Sequence, residues 1–229
     1  MNFLLHRHLA AAELSSEVAG LGAMLPDLWR MAHRRMRARE GLGEAFTAGK
    51  LSGPAVELQA GIEHHLAVDR TFHESSLFRD GEAELRRRFK ASGVAVRHLG
   101  LFAHVAWELC LDGALLRREG LAPSLEGLRR AHLIAGENLW RVAAVHARQG
   151  LDVGPESPFA TRLEYLFAEL LESDWIPGYQ HAEGIAYRLA GVRRRIGLET
   201  FSPADIEALA LALEPGLELA EARLDDVYS

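Results

Sequence analysis

The sequence has a single cysteine, no excess of positive charge and no long apolar run, and each absence excludes a class of protein. Cys110 is the one cysteine in 229 residues, so an intrachain disulfide is excluded and a reducing compartment is expected. The net charge of -6 argues against a nucleic-acid-binding protein that neutralises phosphates. The sequence contains no uninterrupted stretch of about 18 apolar residues, so no membrane span is predicted. His6, Arg7 and His8 interrupt the apolar start, so we expect no targeting signal and a cytoplasmic protein.

Sequence patterns typical of β-strands are also scarce, and helical patterns decide the fold class instead. Proline and glycine separate a series of segments whose apolar residues recur with the helical period. The composition does not change along the chain, which favours one all-α domain over residues 1–229. Pro26 followed by Asp27 predicts a helix start, with Asp27 as a cap and a helix over residues 28–39. Residues 125–149 predict one further continuous helix.

The central stretch, residues 61–73, carries His65, Asp69 and His73 at successive spacings of four. On a helix each such step leaves a rotation of about 40°, so the three side chains share one face. A histidine and a carboxylate one turn apart can bind a single divalent ion. His65 and His73 lie about 12 Å apart along the axis, so His73 would serve a second metal or meet the substrate. The alternative is a solvated polar stripe without a ligand.

A second segment repeats this spacing, since His104, Glu108 and Asp112 lie four apart on an otherwise apolar helix. Unpaired charges are costly to bury, and a metal ion or partners on a facing helix would remove that cost. The alternative is a core histidine with satisfied hydrogen bonds and two carboxylates at a solvent edge. At the N-terminus, His6 and His8 would point about 200° apart on a helix, so only one of them can face a site.

Two such helices packed side by side can enclose one or two metal ions. Imidazole together with carboxylate suits a divalent transition metal such as Mn, Fe or Zn better than Ca²⁺. Such a centre lowers the pKa of a bound water and clamps the oxygens of a phosphoryl group. Oxygen activation at a pair of iron ions uses the same ligands, so the residues alone leave hydrolase and oxygenase chemistry open.

Three pieces of the first half match a family pattern, namely MNFLLHRHLA at residues 1–10, GLGAMLPDLW at residues 20–29 and GIEHHLAVDRTFH at residues 61–73. They resemble the acyl carrier protein phosphodiesterase family, a branch related to HD-domain metal phosphohydrolases. Its members read like MNFLAHLHLA, then a GDF-type aspartate, then GI-x-x-H-R-x-I-D-x-x-T-D. The resemblance covers roughly residues 1–120 and implies an HD-like helical bundle, with residues 121–229 unassigned.

Three departures from the family pattern involve candidate ligands. The last aspartate of the third piece is His73 here. The later D-x-x-x-D-H segment of the family corresponds to His104-Val-Ala-Trp-Glu108-Leu109, so His104 and Glu108 stand at its aspartate positions and Leu109 at its histidine. Because His73, His104 and Glu108 are all metal-ligand types, the departures suggest a reshaped centre.

The resemblance and the spacing together predict a metal-dependent phosphoric ester hydrolase with one or two ions. Its substrate would be a phosphopantetheine-type or other small phosphodiester, with acyl carrier protein as a candidate partner and no nucleic-acid or membrane partner. A non-catalytic metal-binding protein is a further alternative. Asp27 and Asp69 are the predicted catalytic residues. The predicted metal ligands are His8, Asp27, His65, Asp69, His73, His104 and Glu108.

Overall fold

The computed structural model describes residues 3–42 and 51–228. Within these ranges the chain forms helices joined by turns and contains no β-strand, which confirms the all-α fold class. The helices are α1 (Phe3–Glu13), α2 (Glu17–Ala32), α3 (Pro54–Phe72), α4 (Ser76–Ala91), α5 (Leu99–Glu119), α6 (Leu121–Ala135), α7 (Asn138–His146), α8 (Pro158–Glu172), α9 (Trp175–Gly178), α10 (Ala182–Arg195), α11 (Pro203–Ala222) and a terminal 3-10 helix (Leu224–Tyr228).

The helices form two compact units, and each unit combines two separate stretches of chain. Among the described residues, the first unit contains residues 3–70 and 122–173, and the second contains residues 71–121 and 174–228. Each unit therefore draws on both halves of the sequence, which supports a single-domain fold. The HD-like arrangement and the division near residue 120 stay predictions.

In the first unit, helix α2 packs against α1 and α8, and its backbone approaches that of α3 very closely. A Cβ added to Gly22 would lie 2.8 Å from Leu58 C, and one added to Gly61 would lie 2.8 Å from Ala23 N. Because these neighbours are backbone atoms, neither position has room for a larger side chain. The two glycines thus allow α2 and α3 to cross with their backbones in contact.

Helix α2 continues through Pro26, so the helix start predicted there is wrong. Ser16 caps α2 instead, accepting a hydrogen bond from Ala19 N at 3.0 Å, and the helix ends at Ala32. The helix predicted over residues 28–39 is therefore the last turn of α2 followed by irregular chain. Proline removes one helical hydrogen bond, but nearly all of α2 up to Trp29 is buried, and this packing outweighs the loss.

In the second unit, α5 packs against α4, α10 and α11, and the stretch from Phe102 to Leu116 is buried almost throughout, except for half-buried His104. By length and composition alone α5 would also pass for a membrane span, but 78% of its most apolar window is buried inside the protein. Such burial is typical of the core helix of a soluble protein. Gly81 on α4 makes room for Trp107 on α5, because an added Cβ would overlap the indole ring.

The predicted helix over residues 125–149 is divided into α6 and α7. Gly136 lies at the break with a φ of +46°, a left-handed conformation that glycine adopts without strain. An isolated glycine within a helical pattern is tolerated often enough that the pattern alone predicted continuity. The backbone angle at Gly136 decides the break.

Candidate metal sites

The first candidate site, called the first trio here, consists of His6 on α1 and His65 and Asp69 on α3. One ligand atom from each residue lies within 4.8 Å of the others. The His6 and His65 rings are 4.1 Å apart between centroids, and His6 Nε2 lies 3.6 Å from Asp69 Oδ1. Both histidines are buried, at 3% and 5% exposure, whereas Asp69 is partly exposed.

The crossing of α2 and α3 positions the first trio. Gly61 contacts α2, and His65 and Asp69 follow at one and two turns along the same face of α3. His65 consequently reaches the backbone of Ala23, with which it makes a hydrogen bond. The spacing of four predicted from the sequence therefore places His65 and Asp69 together.

The electrostatics of the first trio favour a neutral His65. Burial, together with the neighbouring His6, lowers the pKa of His65 to about 4, against the opposing effect of Asp27 and Asp69. A neutral imidazole is the form that binds a metal ion. The Nδ1 atoms of His6 and His65 are both buried and have no hydrogen-bond partner among the described residues. Buried polar atoms in this state need a ligand or a water molecule.

Of the two N-terminal histidines, His6 belongs to the first trio, whereas His8 is the one predicted as a ligand. His6 shares its helical face with the buried Leu9 and Ala10, and His8 is half-buried and belongs to neither candidate trio. Sequence reasoning had established that only one of the two can face a site. The apolar residues three and four positions after His6 are the signal that favours it.

Asp27 lies inside α2 and is half-buried, so it is not a helix cap. Its charge acts on His65, which places it near the first trio, but it is not one of the three grouped ligands. Its predicted roles as a ligand or a base stay predictions.

The second candidate site, called the second trio here, consists of His73, which follows α3 directly, and His104 and Glu108 on α5. Glu108 Oε1 lies 3.6 Å from His73 Nε2 and 3.5 Å from His104 Nε2. The two imidazole rings are 4.8 Å apart between centroids. Helix α3 ends at Phe72, so His73 lies beyond the helical face that carries His65. His73 lies instead beside His104 and Glu108, as its predicted use for a second metal requires.

Two residues of α4, Phe78 and Glu82, contact the histidines of the second trio. The Phe78 ring lies edge-on to both histidines, with centroids 4.5 Å from His73 and 4.8 Å from His104. One turn later, Glu82 Oε2 lies 3.5 Å from His104 Nδ1. Neither residue was predicted from the sequence. Their spacing of four on an amphipathic helix was the available signal, but it does not reveal what the helix faces.

The carboxylates of α5 are buried, with Glu108 4% exposed and Asp112 fully enclosed, so the alternative with two carboxylates at a solvent edge is wrong. Burial alone would raise the pKa of Glu108, but the contacts with His104 and His73 hold that pKa well below its usual value. A buried carboxylate is stable only with such partners. Glu108 is therefore a buried carboxylate that faces two imidazoles and could serve as a metal ligand.

Both trios fit a divalent transition-metal ion by the chemistry of their donors. Each offers two imidazoles and one carboxylate, the set that binds zinc in many hydrolases and iron in non-haem oxygenases. Calcium prefers all-oxygen sites and fits neither trio. Five of the seven predicted ligands thus lie in the two trios, His6 is added to the first, and His8 and Asp27 belong to neither.

A cleft of about 600 Å³ also occurs in the second unit, between α10 and α11. Its lining includes Arg117, Glu214 and Tyr187, and it includes no member of the second trio. Arg117 donates to the Gln180 carbonyl oxygen at 2.9 Å and pairs with Glu214 and Glu221. The charge of Arg117 is thus already balanced within the protein.

Comparisons with protein-family models, with curated proteins and with solved structures find no match for this chain.

Proposed function

We propose that this protein is a metal-dependent phosphoric ester hydrolase whose ions are held by the first and second trios. The observation that carries the proposal is the first trio, in which two buried imidazoles converge on a carboxylate and each keeps a buried nitrogen without a hydrogen-bond partner. The free-energy cost of burying such nitrogens without a hydrogen-bond partner is removed when a metal ion or a water molecule occupies the site.

Within the first trio, the residues have separable tasks. His6 and His65 are enclosed and would supply neutral nitrogen donors, while the partly exposed Asp69 would supply charge at the side open to solvent. When bound, the metal ion would supply a water of lowered pKa and a positive charge that stabilises phosphoryl oxygens. Asp27, close enough to act on His65, is the candidate group to accept a proton from the attacking water.

The second trio supports the same proposal, but here the carboxylate is enclosed and the histidines are partly exposed. Glu108 is enclosed and ionised, and the two half-exposed histidines stand between it and solvent. A substrate oxygen approaching this trio would therefore meet imidazole groups first. The Phe78 ring provides an apolar wall beside them and would exclude water from one side.

The substrate class rests on the resemblance to acyl carrier protein phosphodiesterases, whose pattern His65 and Asp69 match. We infer a phosphodiester or phosphomonoester of a small molecule, with a phosphopantetheine-type ester or acyl carrier protein as candidates. The cytoplasm is the proposed location, because the single cysteine fits a reducing compartment. Replacement of the family's aspartates by His73 and His104 favours a nitrogen-preferring metal such as zinc or iron over magnesium.

Elemental analysis and a generic phosphodiester test the proposal. Protein purified without added metal should contain zinc, manganese or iron and should hydrolyse bis(p-nitrophenyl) phosphate. His65→Ala should lower the rate by more than the roughly 10–100-fold that loss of an outer-shell partner costs. His64→Gln is the matched control, because His64 precedes His65 on α3 and pairs with Glu13 at 3.0 Å. Equal rates for both variants would refute the assignment.

A second candidate function is an iron-dependent oxygenase, because two histidines and one carboxylate are also the ligand set of non-haem iron enzymes. Purified protein would then contain iron, consume oxygen in the presence of a reductant and leave phosphodiesters intact. A protein that binds metal but supports neither reaction would be a non-catalytic metal-binding protein.

A further inference from the structure

The facing surfaces of α4 and α5 carry matched rows of residues around the second trio. On α4, Phe78, Glu82 and Arg86 recur every four residues, and on α5, Gly100 and His104 do the same. Phe78 and Glu82 both contact His104, and Arg86 lies against Gly100, where an added Cβ would come within 3.1 Å of its guanidinium. The two rows therefore face each other.

His104 lies between two carboxylates on opposite sides of its ring. Its Nδ1 is 3.5 Å from Glu82 Oε2, and its Nε2 is 3.5 Å from Glu108 Oε1. Glu82 is itself held by an ion pair with Arg86, one turn further along α4. A neutral imidazole has one N–H and one lone pair, so a group that accepts the N–H at one nitrogen presents the lone pair at the other.

We propose that Glu82 is a positioning residue, which holds the proton of His104 on Nδ1 and so presents Nε2 to a transition-metal ion shared with His73 and Glu108. A carboxylate behind a metal-binding histidine fixes the orientation of the ring and raises its basicity. The inference rests on the metal-binding part of the proposed function and does not depend on phosphoester hydrolysis.

The arrangement also gives Arg86 and Phe78 defined tasks. Arg86 keeps the Glu82 side chain extended toward α5, and the small Gly100 leaves the space in which the guanidinium lies. The Phe78 ring blocks His73 and His104 from turning toward α4. Together they limit the second trio to one arrangement, which favours an ion that binds imidazole strongly.

Zinc affinity of the full-length protein, measured by competition with a chelating dye, tests the role of Glu82. The measurement uses an Asp69→Asn background to weaken the first trio. Glu82→Ala should lower the affinity of the second trio roughly 10–100-fold. Glu82→Gln should restore part of the loss, because its amide oxygen still accepts the Nδ1 proton without the charge. Glu84→Ala is the matched control on α4, since among the described residues Glu84 forms ion pairs with Arg87 and Arg88 alone.

Histidine nitrogen NMR of the zinc-loaded protein separates positioning from a merely structural effect. In the Asp69→Asn protein the proton of His104 should reside on Nδ1 and exchange slowly, and Glu82→Ala should make it exchange rapidly. Equal zinc affinity in Glu82→Ala and Glu84→Ala would overturn the inference, as would a His104 proton on Nε2. Absence of any zinc binding in the Asp69→Asn background would also overturn it. Zinc binding by the wild-type protein without phosphodiester hydrolysis would instead refute the proposed function alone.

Discussion

Replacement of Gly61 by alanine is the sharpest test of how the fold builds the first trio. An added Cβ at this position would lie 2.8 Å from Ala23 N and 2.8 Å from Ala19 C, and closer still to the Ala19 carbonyl oxygen. All of these are backbone atoms of α2, so no rotation of a side chain can relieve the overlap. The helices α2 and α3 must separate instead.

The size of the effect follows from the distances. Ordinary contact begins at 3.4 Å, so the backbones must part by at least 0.6 Å from the 2.8 Å contacts alone. Inserting a methylene into a packed core costs typically 1–3 kcal/mol, and a rigid backbone contact lies at the upper end, about 3 kcal/mol. The separation would also stretch the hydrogen bond between His65 and Ala23, so metal affinity should fall together with stability.

Urea unfolding of the purified variants measures this loss, and the zinc-dye competition measures affinity. Gly191→Ala is the matched control, because Gly191 lies in α10 and a Cβ there meets nothing within 4 Å. That substitution should raise the free energy of unfolding by roughly 0.5–1 kcal/mol, the usual gain of alanine over glycine in a helix. If Gly61→Ala is as stable as the wild type, the close crossing of α2 and α3 does not exist.

Three further predictions concern single side chains. Burial, with a smaller effect of Arg39, lowers the pKa of His146 to about 4, while the unfolded chain takes up a proton near pH 6.5. The contribution of neutral His146 to the free energy of unfolding is therefore fully present above pH 6.5 and falls by about 3 kcal/mol as the pH drops to 4. Urea unfolding of His146→Asn should show a smaller loss of stability over the same pH range. Burial also raises the pKa of Cys110, so Ellman's reagent should react with it only after unfolding, and rapid reaction of the native thiol would contradict its enclosure. Finally, His6→Ala should lower zinc affinity at least about 10-fold and His8→Ala much less, and the reverse order would favour the ligand that the family pattern predicts.

Local patterns predicted much of the secondary structure because helical periodicity and end signals are properties of neighbouring residues. Most of the central stretch, residues 61–73, lies on α3, as its helical spacing predicted. The errors arose where packing outweighs a local signal. Pro26 remains inside α2 because the surrounding helix is buried, and Gly136 breaks a helix because its backbone adopts a positive φ.

The sequence by itself determined the all-α class and which residues share a helical face, because both depend on spacing along one segment. It thereby paired His65 with Asp69 and His104 with Glu108. Only the tertiary structure decided which segments meet. The crossing of α2 and α3 at Gly61, and the packing of α4 on α5 that brings Glu82 to His104, join residues far apart in the chain, and no local pattern encodes such contacts.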